Sequence, residues 1–469
     1  MSLTTARLFT TDQRGNIGML VAIGAAALIG SAGIAVDSLL AYSAQSQMQK
    51  ALDAAGLAAG KIVQDTNVKP EAEKIFKANF PAGENMVELK SFEVTPSSSG
   101  DSLKLKASAE YQTRLMRVFG QETVTVSAES SIQRAVRQME LVLVMDNTGS
   151  MKTDNKIGAM KTAARDLVNL IYGEAETHPN LWVGLVPYTA VVNAGSQHTD
   201  WLAAGDKALQ SPSPFSPEIW KGCVMARPAP YDQNDAPPSE MKFTSFLYPK
   251  ADDNIWPPVK SAQSYENNGT GPNLGCGPAI HPLMQEKSDV IAAIDEMAAW
   301  HRGGTTSNLG LVWGWRVLSP QWRGLWGGET PAAMPLDYNT GYSDKVVVLL
   351  TDGQNQFYDW PDHQPNKGVG PQGSDFTAYD RLNVFGYTTL DAGRKEIDKR
   401  LAKTCASMKE KGIILYTITF GSVPDAEERA LYRSCATKPE YYFSSPDNKT
   451  LATAFRTIGL QLSNLRISQ

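Results

Sequence analysis

The sequence predicts an α/β fold, a doubly wound and mostly parallel sheet with long insertions, preceded by a transmembrane helix and a small α+β stalk module. Three observations carry that expectation. Four short, strongly apolar runs occur in the C-terminal two thirds, helical patterns alternate with them, and one uncharged stretch near the start is long enough to cross a bilayer. At 469 residues the chain exceeds a single small domain and can bury a sizeable core. With 42% hydrophobic and 20% charged residues it is neither wholly disordered nor a multi-span membrane protein. A formal net charge of -5 provides no basic footprint, so no nucleic-acid partner is expected.

Residues 1–16 form the N-terminal tail and residues 17–36 the expected span. Ile17 to Val36 reads IGMLVAIGAAALIGSAGIAV, which as a helix measures about 30 Å, the thickness of a bilayer core. Arg7 and Arg14 precede it and Asp37 follows it, so the positive-inside rule puts the N-terminus in the cytoplasm and the remainder outside. A cleavable signal peptide competes with this reading, because AGIA at Ala32 to Ala35 resembles a small-residue cleavage site. The apolar stretch is longer than the usual signal core of about 7 to 15 residues, which favours an uncleaved anchor. A buried core helix is the third reading.

Residues 37–137 are expected to form the stalk. Asp37 to Val63 is Ala-rich, with Leu40, Met48, Leu52 and Leu57 at near-helical spacing, and prolongs the span outwards as a helix. VELKSFEV, LKLKASAEYQ and TVTVSAESSI between Met86 and Arg134 alternate as half-buried strands separated by turn residues.

Residues 138–469 follow another rhythm. Leu141 to Met145, Leu181 to Tyr188, Val346 to Leu350 and Ile414 to Phe420 read as strands buried on both faces. Helical patterns cover Asn155 to Tyr172, Asp289 to His301, Ser307 to Leu318, Asp391 to Lys411 and Leu451 to Leu465. Strand and helix in alternation predict a parallel sheet whose ligands sit at the C-terminal strand ends. Stretches near 205–282, 320–343 and 357–389 are too long for ordinary connections and are expected as insertions over one face. Cys223, Cys276, Cys405 and Cys435 show no metal-type spacing, so in an exported domain two disulfides are expected. Sequence proximity favours Cys223 with Cys276 and Cys405 with Cys435, and four buried thiols are the alternative.

Three segments carry oxygen ligands. MDNTGSM ends the first buried strand and places Asp146, Thr148 and Ser150 at alternate positions. HRGGTTSNLGL brings Thr305 on a Gly-rich loop, and VVVLLTDG brings Asp352 to the end of another buried strand. Carboxylates and hydroxyls of low total charge suit a hard divalent cation, Mg2+ first, with Ca2+ or Mn2+ as alternatives. DNTGS is also good turn and helix-cap chemistry by itself. An EF-hand is excluded because Met151 and Ile157 stand at the turn-glycine and bidentate-glutamate positions.

The DxTxS run at Asp146 to Ser150, GGT at Gly303 to Thr305 and TDG at Thr351 to Gly353, in that order, resemble the metal-ion-dependent adhesion site (MIDAS) of von Willebrand factor A (vWA) domains, a Rossmann-like fold. The resemblance implies that Asp146, Thr148, Ser150, Thr305 and Asp352 hold the ion and that a partner carboxylate completes its shell. Thr148 departs from the Ser of most members but keeps the hydroxyl. RGNIG, the apolar span and VDSLLAYSAQSQMQKALDAAGLAAG are similar to the TadE/TadG-like proteins of tight-adherence (Flp) pilus assembly, as is WGWRVLSP at Trp313 to Pro320. Leu20 stands where a processed prepilin carries glutamate five residues after Gly15.

That second resemblance implies a single-pass protein of the bacterial inner membrane, anchored by residues 17–36, with pilin subunits or pilus assembly proteins as partners. A surface adhesin for host or matrix is the alternative, and a hydrolase a remote one. No HExxH, GxSxG or GxxxxGK[ST] occurs, and His178, His198, His281, His301 and His363 are scattered, so no enzyme is expected.

Overall fold

The computed structural model describes residues 14–60, 65–80, 87–96, 102–133, 138–250, 254, 271–300, 302–340, 343–358, 374–421 and 424–467. The chain divides into two compact units, residues 1–136 with 467–469, and residues 137–466.

In the first unit a single helix, α1 (Arg14–Ala59), contains the apolar stretch and continues through it without a break. The most apolar 18-residue window has a mean hydropathy of 2.2 and is only 6% buried, which disposes of the core-helix reading within this chain. Beyond that window Ala44, Met48, Ala51, Leu52 and Ala55 recur at three- and four-residue spacing and are buried. They face a three-stranded antiparallel sheet of β1 (Val87–Pro96), β2 (Ser102–Gln112) and β3 (Thr123–Gln133), ordered β1–β2–β3. β2 is central and alternates, with Leu103, Leu105, Ala107, Ala109 and Tyr111 inward. A second helix, α2 (Asp65–Asn79), adds Phe76 to this core; sequence pattern did not single it out, and it contains Pro70.

The second unit is a mixed α/β domain. Its six-stranded sheet uses β4 (Gln138–Asp146), β5 (Leu181–Tyr188), β8 (His281–Met284), β10 (Ser343–Thr351), β12 (Ile414–Phe420) and β13 (Tyr442–Ser445), in the order β13–β12–β10–β4–β5–β8. All neighbours are parallel except β5 with β8. The remaining strands are two-residue pieces, β6 (Val192–Asn193) with β7 (Cys223–Val224), and β9 (Gly304–Thr305) with β11 (Gln356–Phe357).

The four apolar runs are the four central strands, and alternate residues feed two separate layers. Leu141, Leu143, Val346, Val348 and Leu350 pack with α3 (Lys156–Tyr172), α4 (Lys287–Glu296) and α8 (Asn448–Ile467). Val142, Val144, Val186, Val347 and Leu349 pack with α5 (Ser307–Leu318), α6 (Leu390–Glu410) and α7 (Ala426–Cys435). The first long insertion lies on this second face, where Phe215, Trp220, Phe243, Phe246 and Tyr248 are buried. Residues 251–253, 255–270 and 359–373 of the insertions fall outside the described residues.

One expectation changes, and three short elements are additions to it. The helix expected over Asp289 to His301 stops at Glu296, because the carbonyl of Asn147 takes the N–H of Trp300 (2.8 Å) and the Asn147 side chain takes that of Ala298 (3.1 Å). Tertiary hydrogen bonds thus replace helical ones. α7 and β13 were not foreseen, since each is short and only half apolar. β8 also escaped notice: a four-residue edge strand carries almost no period.

Disulfides join Cys223 to Cys276 and Cys405 to Cys435, with Cα–Cα separations of 5.8 and 5.1 Å. The latter ties α6 to the end of α7 across 30 residues of chain. Replacing both Cys405 and Cys435 by Ala is expected to lower unfolding stability by about 2 to 5 kcal/mol, the entropy such a loop returns to the unfolded chain. Urea unfolding followed by circular dichroism reads this, and an unchanged midpoint would show that the bond constrains nothing.

Candidate metal centre

The parallel register of β4 and β10 sets Leu350 opposite Met145, which brings Thr351 level with Asp146 and leaves Asp352 one step beyond. On the other flank of β4, Asp146 lies opposite Tyr188. From β4 the chain proceeds to β5 on one side, and from β10 to β12 on the other. The crevice at these two strand ends is therefore the point at which strand order reverses, where open α/β sheets place ligands.

Asp146 is fully buried. Its Oδ1 accepts the N–H of Thr148 (2.8 Å), and its Oδ2 accepts the hydroxyls of Thr351 (3.0 Å) and Tyr188 (3.4 Å) and the N–H of Asp352 (3.4 Å). Burial, and after it the nearby charge of Asp352, push the Asp146 carboxyl well above the usual carboxylate range. Thr148 heads the 3-10 turn Gly149–Asn155 without capping it through its side chain. Its hydroxyl instead lies 2.9 Å from that of Ser150, which donates to Asp352 Oδ1 at 2.6 Å. The turn thus spends its hydroxyls on the carboxylates. Lys156 Nζ, from the start of α3, reaches Asp352 Oδ2 at 2.7 Å.

Thr305 arrives from a separate loop. Its strand β9 pairs with β11, Thr305 opposite Gln356, which ties the GGT loop to the segment that follows Asp352. Gly304 has φ +116, and a Cβ there would stand 2.1 Å from the Gln356 carbonyl oxygen, so this approach requires glycine. Two residues on, the N–H and hydroxyl of Ser307 both donate to Asn355 Oδ1 (2.8 and 2.7 Å). Ser150, Thr305 and Asp352 line a pocket of ≈ 480 Å³ with Asn355, Phe357 and Arg394. Thr148, Ser150 and Thr305 line a second one of ≈ 260 Å³ with Arg302. Ser150 and Thr305 are thus common to both pockets, and the buried Asp146, which lines neither, joins the group through the N–H groups of Thr148 and Asp352.

The donor set fits a hard divalent ion. It holds two carboxylates and three hydroxyls and no thiolate or imidazole, and among the described residues no group of three or more His, Cys, Asp or Glu is placed to hold a metal. A buried carboxylate facing a second carboxylate is the arrangement a dication relieves. His301 and His363 lie outside the described residues.

Several groups that hold the site were not legible beforehand. Tyr188 and Thr351 lie inside recognised strands, but only pairing shows that they meet Asp146. Lys156 carried no signal, being one of many lysines. Asp375, in the third insertion, is buried and accepts from Arg302 Nε (2.8 Å) and Nη2 (2.9 Å), the Gly303 N–H (2.8 Å) and the Tyr248 hydroxyl. Burial alone would raise the Asp375 carboxyl, but the hydrogen bonds and charge of Arg302 hold it below its ordinary value. This clamp fixes the two residues immediately before Gly304 and Thr305.

No protein-family profile matches the sequence, and no curated protein matches it. Among solved structures, the vWF domain of the type V pili tip protein Mfa5 from Porphyromonas gingivalis is similar over 71% of this chain and 97% of that one, with 11% identity and a TM-score of 0.38. The pilus adhesin SpaC from Lactobacillus rhamnosus GG is similar over 81% of this chain, with 12% identity and a TM-score of 0.37. The chain spans only 35% of SpaC. Proximal thread matrix protein 1 from the mussel byssus, with a zinc-occupied MIDAS motif, is similar over 70% of this chain and 46% of that one, with 13% identity and a TM-score of 0.32. Likeness at this level assigns nothing, and the reading of the site rests on its own residues.

Asp375→Asn removes the charge partner of a buried guanidinium, so a loss of about 3 kcal/mol in unfolding stability is expected. Divalent-ion affinity should fall with it, because Thr305 loses its support. Calorimetric titration of the folded variant checks this, and an unchanged affinity would show that Thr305 needs no clamp.

Proposed function

We propose that the chain is a membrane-anchored, non-enzymatic binding protein whose residues 138–469 form a vWA-type module with a MIDAS-type cation, acting outside the cytoplasm in tight-adherence (Flp) pilus assembly. The observation that carries this reading is that hydrogen bonds join Asp146, Thr148, Ser150 and Asp352 at the strand ends where strand order reverses, while Thr305, from a third segment, lines the same two pockets as Ser150. Their order along the chain and their strand-end settings agree with the adhesion-site pattern noted above. Mg2+ is the favoured ion, since small hard cations take one or two carboxylates and keep waters, with Ca2+ and Mn2+ next. When bound, the ion supplies a positive centre with a coordination position open to a partner's carboxylate oxygen.

Partners are then pilin subunits or other pilus assembly proteins presenting an exposed Asp or Glu. The exposed apolar stretch of α1, with residues 17–36 as the span, anchors the chain in the bacterial inner membrane with its N-terminus in the cytoplasm. The disulfides support an oxidising, extracytoplasmic setting for the second unit.

Isothermal titration of the full chain in detergent with MgCl2, CaCl2 or MnCl2 is expected to give one site per chain, lost in Asp146→Ala and in Asp352→Ala; absence of heat for all three salts in the wild type would remove the cation. Partner capture from membranes should then depend on the ion, and identical partner lists with and without chelator, and for wild type and Asp352→Ala, would end the adhesion role. Lys156→Met removes an ammonium that competes with the ion for Asp352, so affinity should tighten roughly tenfold, about 1.4 kcal/mol. The same titration reads that change, and weaker binding would make Lys156 a support for the site instead of a rival.

A further inference from the structure

The turn between β2 and β3 ends in apolar side chains that the protein leaves uncovered. Leu115, Val118 and Phe119 are 42%, 78% and 61% exposed. They are not at the far end of the sheet from the anchor but beside it. A Cβ on Gly30 of α1 would stand 3.1 Å from Phe119 Cζ, and one on Gly33 would stand 3.0 Å from Leu115 Cβ. Gly30 precedes Asp37 by seven residues, so Phe119 touches the helix about 10 Å inside the apolar stretch, measured from Asp37 at 1.5 Å per residue.

The backbone of this turn is prepared for a place without water. The buried carboxylate of Asp37 accepts the N–H groups of Arg114 (2.9 Å), Leu115 (2.8 Å) and Met116 (2.7 Å), with the Tyr111 hydroxyl at 3.4 Å. Val118, Gly120 and Gln121 donate their N–H groups to the carbonyls of Leu115, Arg117 and Met116 (3.2, 3.1 and 3.2 Å). Thr113 Oγ1 donates to the Gln121 carbonyl at 2.5 Å. Hydrocarbon offers a backbone N–H no partner, and these N–H groups already have partners within the protein.

We propose that Leu115, Val118 and Phe119 insert into the extracytoplasmic leaflet of the bilayer that α1 spans, making this turn a second membrane contact. The inference rests on the reading of α1 as a membrane anchor. The occupant is lipid because the exposed turn is continuous with the exposed apolar surface of α1 that runs from Met19 to Val36. Its depth of about 10 Å is that at which interfacial apolar groups settle. Exposed Arg114 precedes the three apolar residues and exposed Arg117 lies between Leu115 and Val118, each with a side chain long enough to reach up to lipid phosphates. Two contacts instead of one stop the helix from turning about its axis and hold the stalk sheet at a set height above the membrane.

The test uses the full chain, one copy per nanodisc, in phosphatidylcholine with phosphatidylglycerol. The cysteines are disulfide-bonded, with none free among the described residues, so a nitroxide can be placed uniquely on Phe119→Cys, Ile23→Cys or Ile219→Cys. Ile219 is 71% exposed in the other unit and serves as the aqueous reference. Paramagnetic resonance compares collisions with dissolved oxygen, which favours lipid, and with a water-soluble nickel chelate. The expected result is an oxygen-dominated signal at positions 23 and 119 and a nickel-dominated one at 219. A nickel-dominated signal at 119 with an oxygen-dominated one at 23 would overturn the insertion while leaving the anchor intact. Nickel dominance at both would remove the anchor itself. Protection of 119 from both reagents would also overturn the proposal, by showing protein over the turn.

Discussion

Two carboxylates held side by side at the ends of neighbouring buried strands are the constraint around which the larger unit is organised. The register of β4 against β10 allows no other outcome, since Thr351 comes level with Asp146 and Asp352 follows at once. Like charges in a dry crevice repel strongly, and the surroundings answer with donors: the hydroxyls of Thr351, Tyr188 and Ser150, the N–H of Thr148 and the ammonium of Lys156. These donors work against a carboxyl that burial first, and the charge of Asp352 after it, hold above its ordinary value. A dication is the natural remaining counter-charge.

The insertions serve the same place. Trp201, Trp313, Trp322 and Trp326 pack in mutual ring contact on the α5 face, with Arg316 4.5 Å over the Trp313 ring, so the long loops form a dry third layer over the sheet. From that layer Asp375 and Tyr248 grip Arg302, and the GGT loop inherits its position from them. A loop rich in Gly would otherwise wander. Rigidity at Thr305 is thus borrowed from residues far away in the chain.

In the first unit a single carboxylate has the comparable role. Asp37, at the polar end of the apolar stretch, gathers the N–H groups that open the β2–β3 turn. Helix and sheet are joined there by hydrogen bonds and lower down by the small residues Ala44, Ala51 and Ala55, which permit close approach.

The four central strands are legible in the amino-acid order, because a strand buried on both faces must be apolar at every position. It also points to candidate oxygen ligands, because strand-end loops of an α/β sheet are short and their polar residues have few places to go. Asp146, Thr148, Ser150, Thr305 and Asp352 were legible for that reason. Their surroundings come from contacts between distant segments. Lys156, Tyr188 and Asp375 reach the site through pairing, helix docking and a loop fold, none of which leaves a local period. The early end of α4 has the same origin, since Asn147 offers Ala298 and Trp300 better partners than the helix does. Local pattern reports which residues avoid water, whereas the identity of the group each one meets depends on contacts between segments 42 to 196 residues apart.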